Sequence, residues 1–296
     1  MAGLLAQVFP RSFLYRLATS DRVERAVRAL SPIERRCYGF ARRYIAGVSL
    51  EDALAAVRGL REQGMAASVD LFGEGLSDPE AIQIVVGRYR HTARRLGELD
   101  CDAYLEVVPS HLGLDLSQGF LRQQLEQVID ALPSGSRLEV SAEESWRTER
   151  ILGVVLELAR EGAPVIATLQ GNLRRSEADA EQLADAGVPV RLVKGAYLEP
   201  PDVAHPWGEA TDLAFLRLAH GLHAAGAELS IGTHDAVIRE ALLASLEGIG
   251  VEMLLGVRPE DARELVRRGH RVRIYVPFGD GWFRYWMRRV AEGVGA

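Results

Sequence analysis

Lysine is almost absent from this chain of 296 residues, in which Lys194 is the only lysine among 35 basic residues. Arginine occupies every other basic position, so most of those positions say little about function. Lysine differs from arginine in size, hydration and ease of deprotonation, which makes the one retained ammonium informative. Lys194 follows the apolar run Val190–Val193 and precedes Gly195. It is therefore a candidate binding-site residue at a strand end, with an ordinary ion pair as the alternative.

The chain is also poor in cysteine and has no long hydrophobic run. Cys37 and Cys101 lie far apart and form no metal-binding or redox spacing, which favours a reducing cytoplasm. No apolar stretch reaches the length needed to cross a bilayer, so we expect no transmembrane segment. Near the N-terminus, Arg11, Arg16 and Asp21 interrupt what would be the apolar core of a signal peptide.

The chain also has no excess of basic over acidic residues. The net charge is -6 and the pI is about 5.7, which argues against nucleic acid as the main partner. The chain has no His-Glu-x-x-His, no Gly-x-Ser-x-Gly and no Gly-rich loop that ends in Lys-Ser/Thr. His220 and His223 have helical spacing but no evident acidic third ligand, so we expect no metal site.

The N-terminal part predicts helices. Residues 9–46 have the pattern of two helices, with a break at Ser31-Pro32, where Ser31 is a plausible N-cap and Pro32 takes the first helical position. Ser49 is expected to cap a further helix, with Asp52 completing a capping box. We therefore divide the chain into an N-terminal helical segment, residues 1–48, and a second unit, residues 49–296.

From Ser49 onward, short apolar runs alternate with amphipathic stretches such as Ala81–Leu96 and Trp146–Arg160. Strands that alternate with helices imply parallel pairing, and eight such units in about 250 residues predict a closed (β/α)₈ barrel of the α/β class. An open doubly wound sheet is the alternative, but no Gly-x-Gly-x-x-Gly opens any helix. The eight predicted strands are Ala66–Leu71, Tyr104–Val108, Arg137–Val140, Val165–Leu169, Val190–Val193, Leu229–Ile231, Val251–Leu255 and Val272–Val276.

Polar residues gather where these runs end, which is where barrel enzymes build their active sites. His234 follows Thr233 at the end of the sixth run and could donate to a phosphate or transfer a proton, or serve as a structural histidine. In the last helix, Arg288 and Arg289 could grip a carboxylate in bidentate fashion. A solvated basic helix end, or a basic aromatic helix on a membrane surface, is the alternative for that segment.

These residues make the chain resemble the proline dehydrogenase family. The strongest matching motifs are Arg191-Leu192-Val193-Lys194-Gly195-Ala196-Tyr197 and Tyr275-Val276-Pro277-Phe278-Gly279, followed by Tyr285-Trp286-Met287-Arg288-Arg289-Val290-Ala291-Glu292. Weaker matches are Val69–Glu74, Ser141–Glu144, Leu169-Gln170 and Gly232–Asp235, and all occur in the family's order. The resemblance covers the whole predicted barrel.

The resemblance implies a distorted (β/α)₈ barrel that holds FAD. Family members oxidise L-proline to Δ1-pyrroline-5-carboxylate by hydride transfer to the flavin N5, a step of proline catabolism, and pass electrons to a membrane quinone. We therefore expect a cytoplasmic flavoprotein that works at the inner face of the membrane. The cofactor would carry the redox chemistry, while the protein would orient the substrate and tune the site.

By the matching positions, Arg191 would be the catalytic residue beside the flavin N5, and Glu292 would support the last helix. The residues that would hold FAD are Ala142, Gln170, Arg191, Lys194, Gly195, Ala196, Thr233 and His234. Those that would hold the substrate are Arg288 and Arg289 at its carboxylate and Tyr275 and Tyr285 at its ring.

Two positions depart from the family's pattern. Val108 stands where the family usually has a lysine that binds the substrate carboxylate, and Ser141 stands where it usually has an aspartate. Losing a cation and an anion together suggests a paired change in the substrate pocket. We therefore hypothesise weak oxidation of proline, or preference for a modified proline or another cyclic imino acid. Two other readings stay open: a Schiff-base lyase that uses Lys194, and a non-catalytic paralogue that binds flavin or an amino acid.

Overall fold

The computed structural model describes residues 21–292 of the chain. Eight parallel strands, each paired with the next in sequence, close into a barrel through pairing of the first strand with the last. The strands are β1 Ala66–Leu71, β2 Ala103–Val107, β3 Leu138–Val140, β4 Val165–Gln170, β5 Val190–Val193, β6 Leu229–Gly232, β7 Gly250–Leu254 and β8 Val272–Phe278. The predicted (β/α)₈ barrel is thus confirmed.

Helices precede the barrel and return the chain between its strands. A 3₁₀ turn, Pro109–Leu112, follows β2. No helix within residues 21–292 is both long and apolar enough to cross a membrane. The helices are α1 Asp21–Ala29, α2 Ser31–Ala41, α3 Leu50–Glu62, α4 Pro79–Gly97, α5 Gln118–Ile129, α6 Ser145–Arg160, α7 Ser176–Asp185, α8 Glu209–Ala224, α9 Ala236–Ser245, α10 Pro259–Arg267 and α11 Trp282–Glu292.

The two predicted helix starts before the barrel had different outcomes. At α3, the Ser49 hydroxyl accepts from the Asp52 N–H at 3.1 Å and the Asp52 carboxylate accepts from the Ser49 N–H at 3.0 Å, so the capping box is confirmed. At α2, the prediction of Ser31 as N-cap is wrong, because the helix already includes Ser31 and Leu30 takes the cap position without a side-chain bond. Only Leu30 separates α1 from α2, which leaves Ser31 no room for the extended cap conformation. The predicted helical residues 9–20 lie outside the described part of the chain.

The last helix packs inside the protein rather than on its surface. Trp282 and Trp286 of α11 are 3% and 6% exposed and form an apolar cluster with Ala41 and Ile45 at the end of the N-terminal helices. The reading of α11 as a basic aromatic helix on a membrane surface is therefore wrong, since its aromatic side chains are already covered. The N-terminal helices thus hold α11 at the carboxyl end of the barrel. The division of the chain at Ser49 stays a prediction.

The interior of the barrel is unusually polar. Barrels of this type usually fill their centre with layers of bulky branched apolar side chains. Here the inward positions of β2, β3 and β5 carry Glu106, Glu139 and Arg191, all buried and joined by ion pairs. Their neighbours along the strands, such as Leu105 and Leu192, are fully buried in the apolar core. Period-2 alternation thus directs the apolar side chains to the helices and the charges to the centre.

Candidate functional site

A cavity of about 520 Å³ opens at the carboxyl ends of the strands. All twelve residues predicted above for cofactor and substrate line it. Because parallel strands all end at the same mouth of a barrel, residues more than 140 positions apart in sequence, such as Ala142 and Arg288, meet around one space. What each of these residues binds stays a prediction, but the structure does bring them together.

The floor of this cavity is a guanidinium held by three carboxyls. Arg191 Nη1 lies 3.1 Å from both carboxyl oxygens of Glu106 and 3.0 Å from Glu139 Oε1. Its Nε lies 3.0 Å from Glu252 Oε2, an ion-pair distance without the alignment of a hydrogen bond. Ser230 donates to Glu252 Oε1 at 2.5 Å. The guanidinium is thereby fixed at the centre of the barrel.

Burial perturbs the acidic groups around Arg191. Burial raises the pKa of Glu106 to about 8 and that of Glu252 to about 7, although the Arg191 guanidinium opposes both shifts. Burial likewise raises the pKa of Asp70, at the same cavity, to about 6. The attraction of the glutamates outweighs burial at Arg191 and raises its pKa well above the ordinary value. These shifts favour the protonated form of the carboxyls in the floor near neutral pH, while the guanidinium stays charged.

Aromatic rings from β8, α11 and the β1 loop form one wall. The Tyr275 hydroxyl donates to Asp70 Oδ2 at 2.5 Å, which fixes the ring of Tyr275 over the floor. The rings of Tyr275 and Tyr285 lie 5.8 Å apart, and Phe72 packs 5.2 Å from Tyr285. The Arg191 guanidinium carbon lies 5.7 Å from the centre of the Tyr275 ring. A flat ring of small-molecule size would find apolar faces on this side and a cation below.

The paired arginines of α11 stand at the same wall. Arg288 Nη2 lies 3.4 Å from Glu74 Oε2, and the guanidinium carbon of Arg289 lies 4.8 Å from the centre of the Tyr285 ring. Burial alone would raise the pKa of Glu74, but Arg288 and Arg284 hold it below its ordinary value. Both guanidiniums thus belong to the cavity, and the reading of them as a solvated helix end is wrong. Two forks of N–H donors on one wall suit a carboxylate ligand.

Lys194 is held by two carboxylates at the edge of the cavity. Its Nζ lies 2.7 Å from Asp212 Oδ1 and 3.0 Å from Asp235 Oδ2. Asp235 also caps α9 by accepting from two backbone N–H groups. An ammonium with two carboxylate partners is not the free amine that a Schiff-base nucleophile must be. Lys194 therefore lies at a strand end within the site, as predicted, and it is also ion-paired.

His234 has a buried ring nitrogen without a hydrogen-bond partner in the described part of the chain. Its Nε2 accepts from the Leu254 N–H at 3.2 Å, and burial lowers its pKa to about 4. A neutral ring whose Nε2 accepts carries its proton on Nδ1. That buried Nδ1 has no hydrogen-bond partner among residues 21–292. Thr233 beside it accepts from the Asp235 N–H at 3.2 Å. His234 can therefore donate to a ligand.

The loops after β3, β4 and β5 bring backbone close to the cavity. Gln170 donates to the Glu143 carbonyl at 2.8 Å and so ties the end of β4 to the loop that contains Ala142. Gly195 has a φ of +107°, and a Cβ there would lie 2.0 Å from Asn172 Oδ1. Only glycine fits this position, since both the backbone angle and the space exclude a side chain. Ala196 continues this lining. Small residues here leave room for a ligand against the backbone.

The two positions that depart from the family's pattern also face the cavity. Ser141 donates to Glu106 Oε1 in a short hydrogen bond, and Val108 places an apolar surface beside it. Thr168, 8% exposed, also lines the cavity, and its hydroxyl has no partner within the described residues. The wall near β2 and β3 therefore offers hydroxyls and carboxyls, but no lysine.

Sequence reasoning missed the carboxyls of the floor. Glu106, Glu139 and Glu252 are single acids inside short apolar runs, in Leu-Glu-Val, Leu-Glu-Val and Val-Glu-Met. A lone acid in a strand that is buried on both faces needs a partner. The recurrence of this pattern in three strands was the available signal, together with Arg191 at the corresponding place in β5.

Comparison with known proteins gives a family. The family model described as proline dehydrogenase matches residues 53–295. The chain is 31% identical over 260 residues to proline dehydrogenase 1 of Bacillus subtilis subsp. natto, covering 85% of this chain and 86% of that protein. It is 30% identical over 293 residues to the proline dehydrogenase of Deinococcus radiodurans, covering 94% of each.

Solved structures give the same fold. The crystal structure of proline utilization A from Bdellovibrio bacteriovorus inactivated by N-propargylglycine superposes with a TM-score of 0.81 at 20% identity. It covers 96% of this chain, whereas this chain spans only 37% of that much longer one. At this level of identity the likeness concerns the fold alone.

Proposed function

Because this chain belongs to the proline dehydrogenase family, we propose that it oxidises L-proline or a related cyclic imino acid to the corresponding Δ1-pyrroline-5-carboxylate-type imine, with bound FAD as the hydride acceptor. One observation carries the proposal most. Arg288, Arg289, Tyr275 and Tyr285 face Arg191 across a single cavity. A carboxylate clamp and ring-sized apolar faces above a fixed cation suit a cyclic amino acid.

The polar atoms of the cavity fit a flavin cofactor. His234 Nδ1 is a buried donor without a partner among the described residues, and the glycine-only position at Gly195 keeps the backbone open beside it. We assign Ala142, Gln170, Lys194, Ala196 and Thr233 to the same binding surface. Bound FAD would supply the two-electron acceptor for the hydride at its N5. Lys194 already has two carboxylate partners, so its part would be to position the loops after β5 and β6.

Arg191 would keep positive charge at the reacting centre. Three carboxyls fix the position of its guanidinium. The guanidinium therefore needs no reorientation when the charge of the bound reactants changes. Arg288 and Arg289 would hold the substrate carboxylate, and Tyr275 and Tyr285 would wall the ring. Fixing both ends of a small substrate positions its reactive carbon. Such positioning can remove a large part of the free-energy barrier to reaction.

The wall near Val108 and Ser141 bears on substrate choice. With an apolar side chain and a hydroxyl at these positions, this side offers no additional cation for the carboxylate. It does offer hydrogen-bonding groups in Ser141 and Thr168. We propose that this side tolerates a ring substituent, so that a modified proline or another cyclic imino acid is used at least as well as L-proline.

We propose a membrane quinone as the electron acceptor and the cytoplasmic face of a membrane as the place of reaction. Five large apolar side chains near the cavity's end of the barrel are exposed: Trp146, Leu198, Trp207, Leu213 and Val237. Helices that follow strands begin at the carboxyl end of the barrel, so this apolar surface surrounds the mouth. Co-sedimentation of the purified protein with lipid vesicles tests this; recovery in the supernatant at all lipid concentrations would oppose it.

The visible spectrum of the purified protein tests the function directly. We expect flavin absorption that bleaches when L-proline or a substituted proline is added anaerobically. A colourless protein that takes up no FAD would refute the proposal. Flavin that never bleaches with any imino acid would favour the non-catalytic alternative. Borohydride trapping of a carbonyl substrate on Lys194 would favour the lyase, which the two carboxylates at that amine oppose.

A further inference from the structure

Two buried glutamates at the floor of the cavity are bridged by one hydroxyl. Ser68 Oγ lies 3.0 Å from Glu106 Oε2 and 2.9 Å from Glu139 Oε2. Ser68 and Glu139 are 0% exposed, and Glu106 lines the cavity. The three side chains come from β1, β2 and β3, so the register of the barrel creates this contact.

A hydroxyl has a single proton to donate. Ser68 can donate to one carboxyl, and its second contact is a hydrogen bond only if the other carboxyl is protonated and donates to it. Two ionised carboxylates at these distances would repel each other in a buried site. Arg191 Nη1 contacts both carboxyls and balances part of their charge, and the two contacts of Ser68 suit one additional proton shared through its hydroxyl. Burial, which raises the pKa of Glu106 to about 8, agrees with this.

We propose that Glu106 and Glu139 share one proton through Ser68 and together accept the proton that the substrate's ring nitrogen loses. This inference rests on the proposed function. Glu106 first passes its proton to Ser68 while Ser68 passes its own to Glu139, which leaves Glu106 ionised at the cavity. The substrate's N–H bond then breaks and an O–H bond forms on Glu106. The electron pair stays on nitrogen, where it forms the C=N bond when the neighbouring carbon is oxidised.

The cavity above the pair contains buried polar atoms that could form hydrogen bonds with a ligand. Asp70 Oδ1 and Thr168 Oγ1 are buried, line the same cavity and have no hydrogen-bond partner within residues 21–292. Asp70 lies opposite Glu106 in the β1–β2 register. A ligand bound over Glu106 would thus contact further polar groups. This pair therefore differs from an acidic cluster whose hydrogen bonds are all made within the protein.

The charges around the pair come from several strands. Arg191 of β5 contacts both glutamates, and Ser141 of β3 donates to Glu106. Asp70 of β1 and Glu252 of β7 add negative charge. Further groups that interact with this network are Tyr89 of α4, Tyr275 and Arg273 of β8, and Arg288 of α11. Among the described residues, Arg191 is the guanidinium in contact with the pair, and the four carboxyls buried around it favour retention of a proton.

Infrared spectroscopy of the FAD-loaded protein without substrate tests the shared proton. At pH 7 we expect a C=O band of a protonated carboxyl that Glu106→Gln removes. Ser68→Ala should shift this band, because the carboxyl loses its hydroxyl partner. Thr92→Val deletes a buried hydroxyl that donates to the Arg88 carbonyl away from the cavity and serves as the control, with no effect on the band assigned to Glu106. A spectrum unchanged by Glu106→Gln would overturn the inference.

The pH dependence of anaerobic flavin bleaching by substrate tests the catalytic part. Glu106→Gln should slow bleaching roughly 100-fold or more, the usual effect of losing a general base, and should flatten the pH profile. Ser68→Ala keeps both carboxyls, but Glu106 can then accept only when it is itself ionised, so the midpoint should move to higher pH. Thr92→Val should keep the original midpoint. An unchanged profile in Ser68→Ala and in Glu106→Gln would refute the role.

Failure of the proposed function would look different. A wild-type protein that binds no FAD, or that bleaches with no imino acid, would remove the reaction but not the band in the infrared spectrum. Conversely, normal bleaching in Glu106→Gln would leave the oxidation in place and remove only the proton-accepting pair.

Discussion

Arg191→Met should destabilise the protein in a strongly pH-dependent way. The buried guanidinium has ion-pair contacts with Glu106, Glu139 and Glu252 at 3.0 to 3.1 Å. Removing one partner of a buried ion pair costs about 3–5 kcal/mol, because the remaining charge is uncompensated. Here the remaining carboxyls can become neutral by taking up protons, which removes the penalty of an unpaired buried charge. The size of the effect therefore depends on how difficult protonation is at the working pH.

The magnitude follows from the ordinary carboxyl pKa of about 4.3, since each pH unit above it costs about 1.4 kcal/mol per proton taken up. Burial raises the pKa of Glu106 to about 8 in the wild type, which favours its protonated form near neutral pH. The variant must protonate at least one further carboxyl, which costs about 5 kcal/mol at pH 8 and about 1 kcal/mol at pH 5. A carboxyl whose pKa is raised on folding stabilises the folded state at low pH. This contribution to stability is lost as the pH rises through the pKa of the carboxyl in the folded state.

Urea unfolding followed by circular dichroism between pH 5 and pH 8 measures this difference. Flavin content must be matched at each pH, because a bound cofactor also stabilises the folded state. Arg239→Met is the control: Arg239 is buried too, but its partners Glu240 and Asp261 are 40% and 33% exposed, so water solvates these carboxylates when the guanidinium is removed. Its deficit should be nearly independent of pH. An equal deficit for Arg191→Met at pH 5 and pH 8 would contradict the reasoning.

Four further variants test the rest of the site. Arg288→Met and Arg289→Met should each raise KM for the imino acid roughly 10- to 100-fold, the value of a charge-assisted hydrogen bond, with FAD retained; an unchanged KM would place the substrate elsewhere. Val108→Lys with Ser141→Asp should shift kcat/KM toward L-proline over substituted prolines, and an unaltered ratio would count against this wall as the specificity determinant. Gly195→Ala puts a Cβ 2.0 Å from a side-chain oxygen of the loop after β4, so flavin content should fall; full flavin occupancy would argue against Gly195 as part of the flavin site.

Much of the fold could be predicted because its signals are local. Strands β1 and β5 have the predicted bounds, and the other strands differ by one or two residues at one or both ends. Ser49 caps α3 through atoms three residues apart. The Ser31 cap failed because it depended on how closely α1 precedes α2, which the sequence pattern does not fix.

The site was predicted in part. Lys194 and His234 follow strands and line the cavity, as their positions at strand ends indicate. The pairing of Lys194 with Asp212 and Asp235 could not be predicted, since it depends on how α8 and α9 begin beside β5. Tyr275 was placed near a strand end but lies inside β8, which continues to Phe278.

The amino-acid sequence by itself determined the alternation of strands and helices, and with it the end of the barrel at which polar side chains collect. It also determined that Arg288 and Arg289 lie on one helix, which follows the eighth strand. Only the tertiary structure decided that Glu106, Glu139 and Glu252 surround Arg191 and that Ser68 joins two of them. Periodicity reports which face of a strand a residue occupies, whereas contact across a barrel depends on the register of every intervening strand pair.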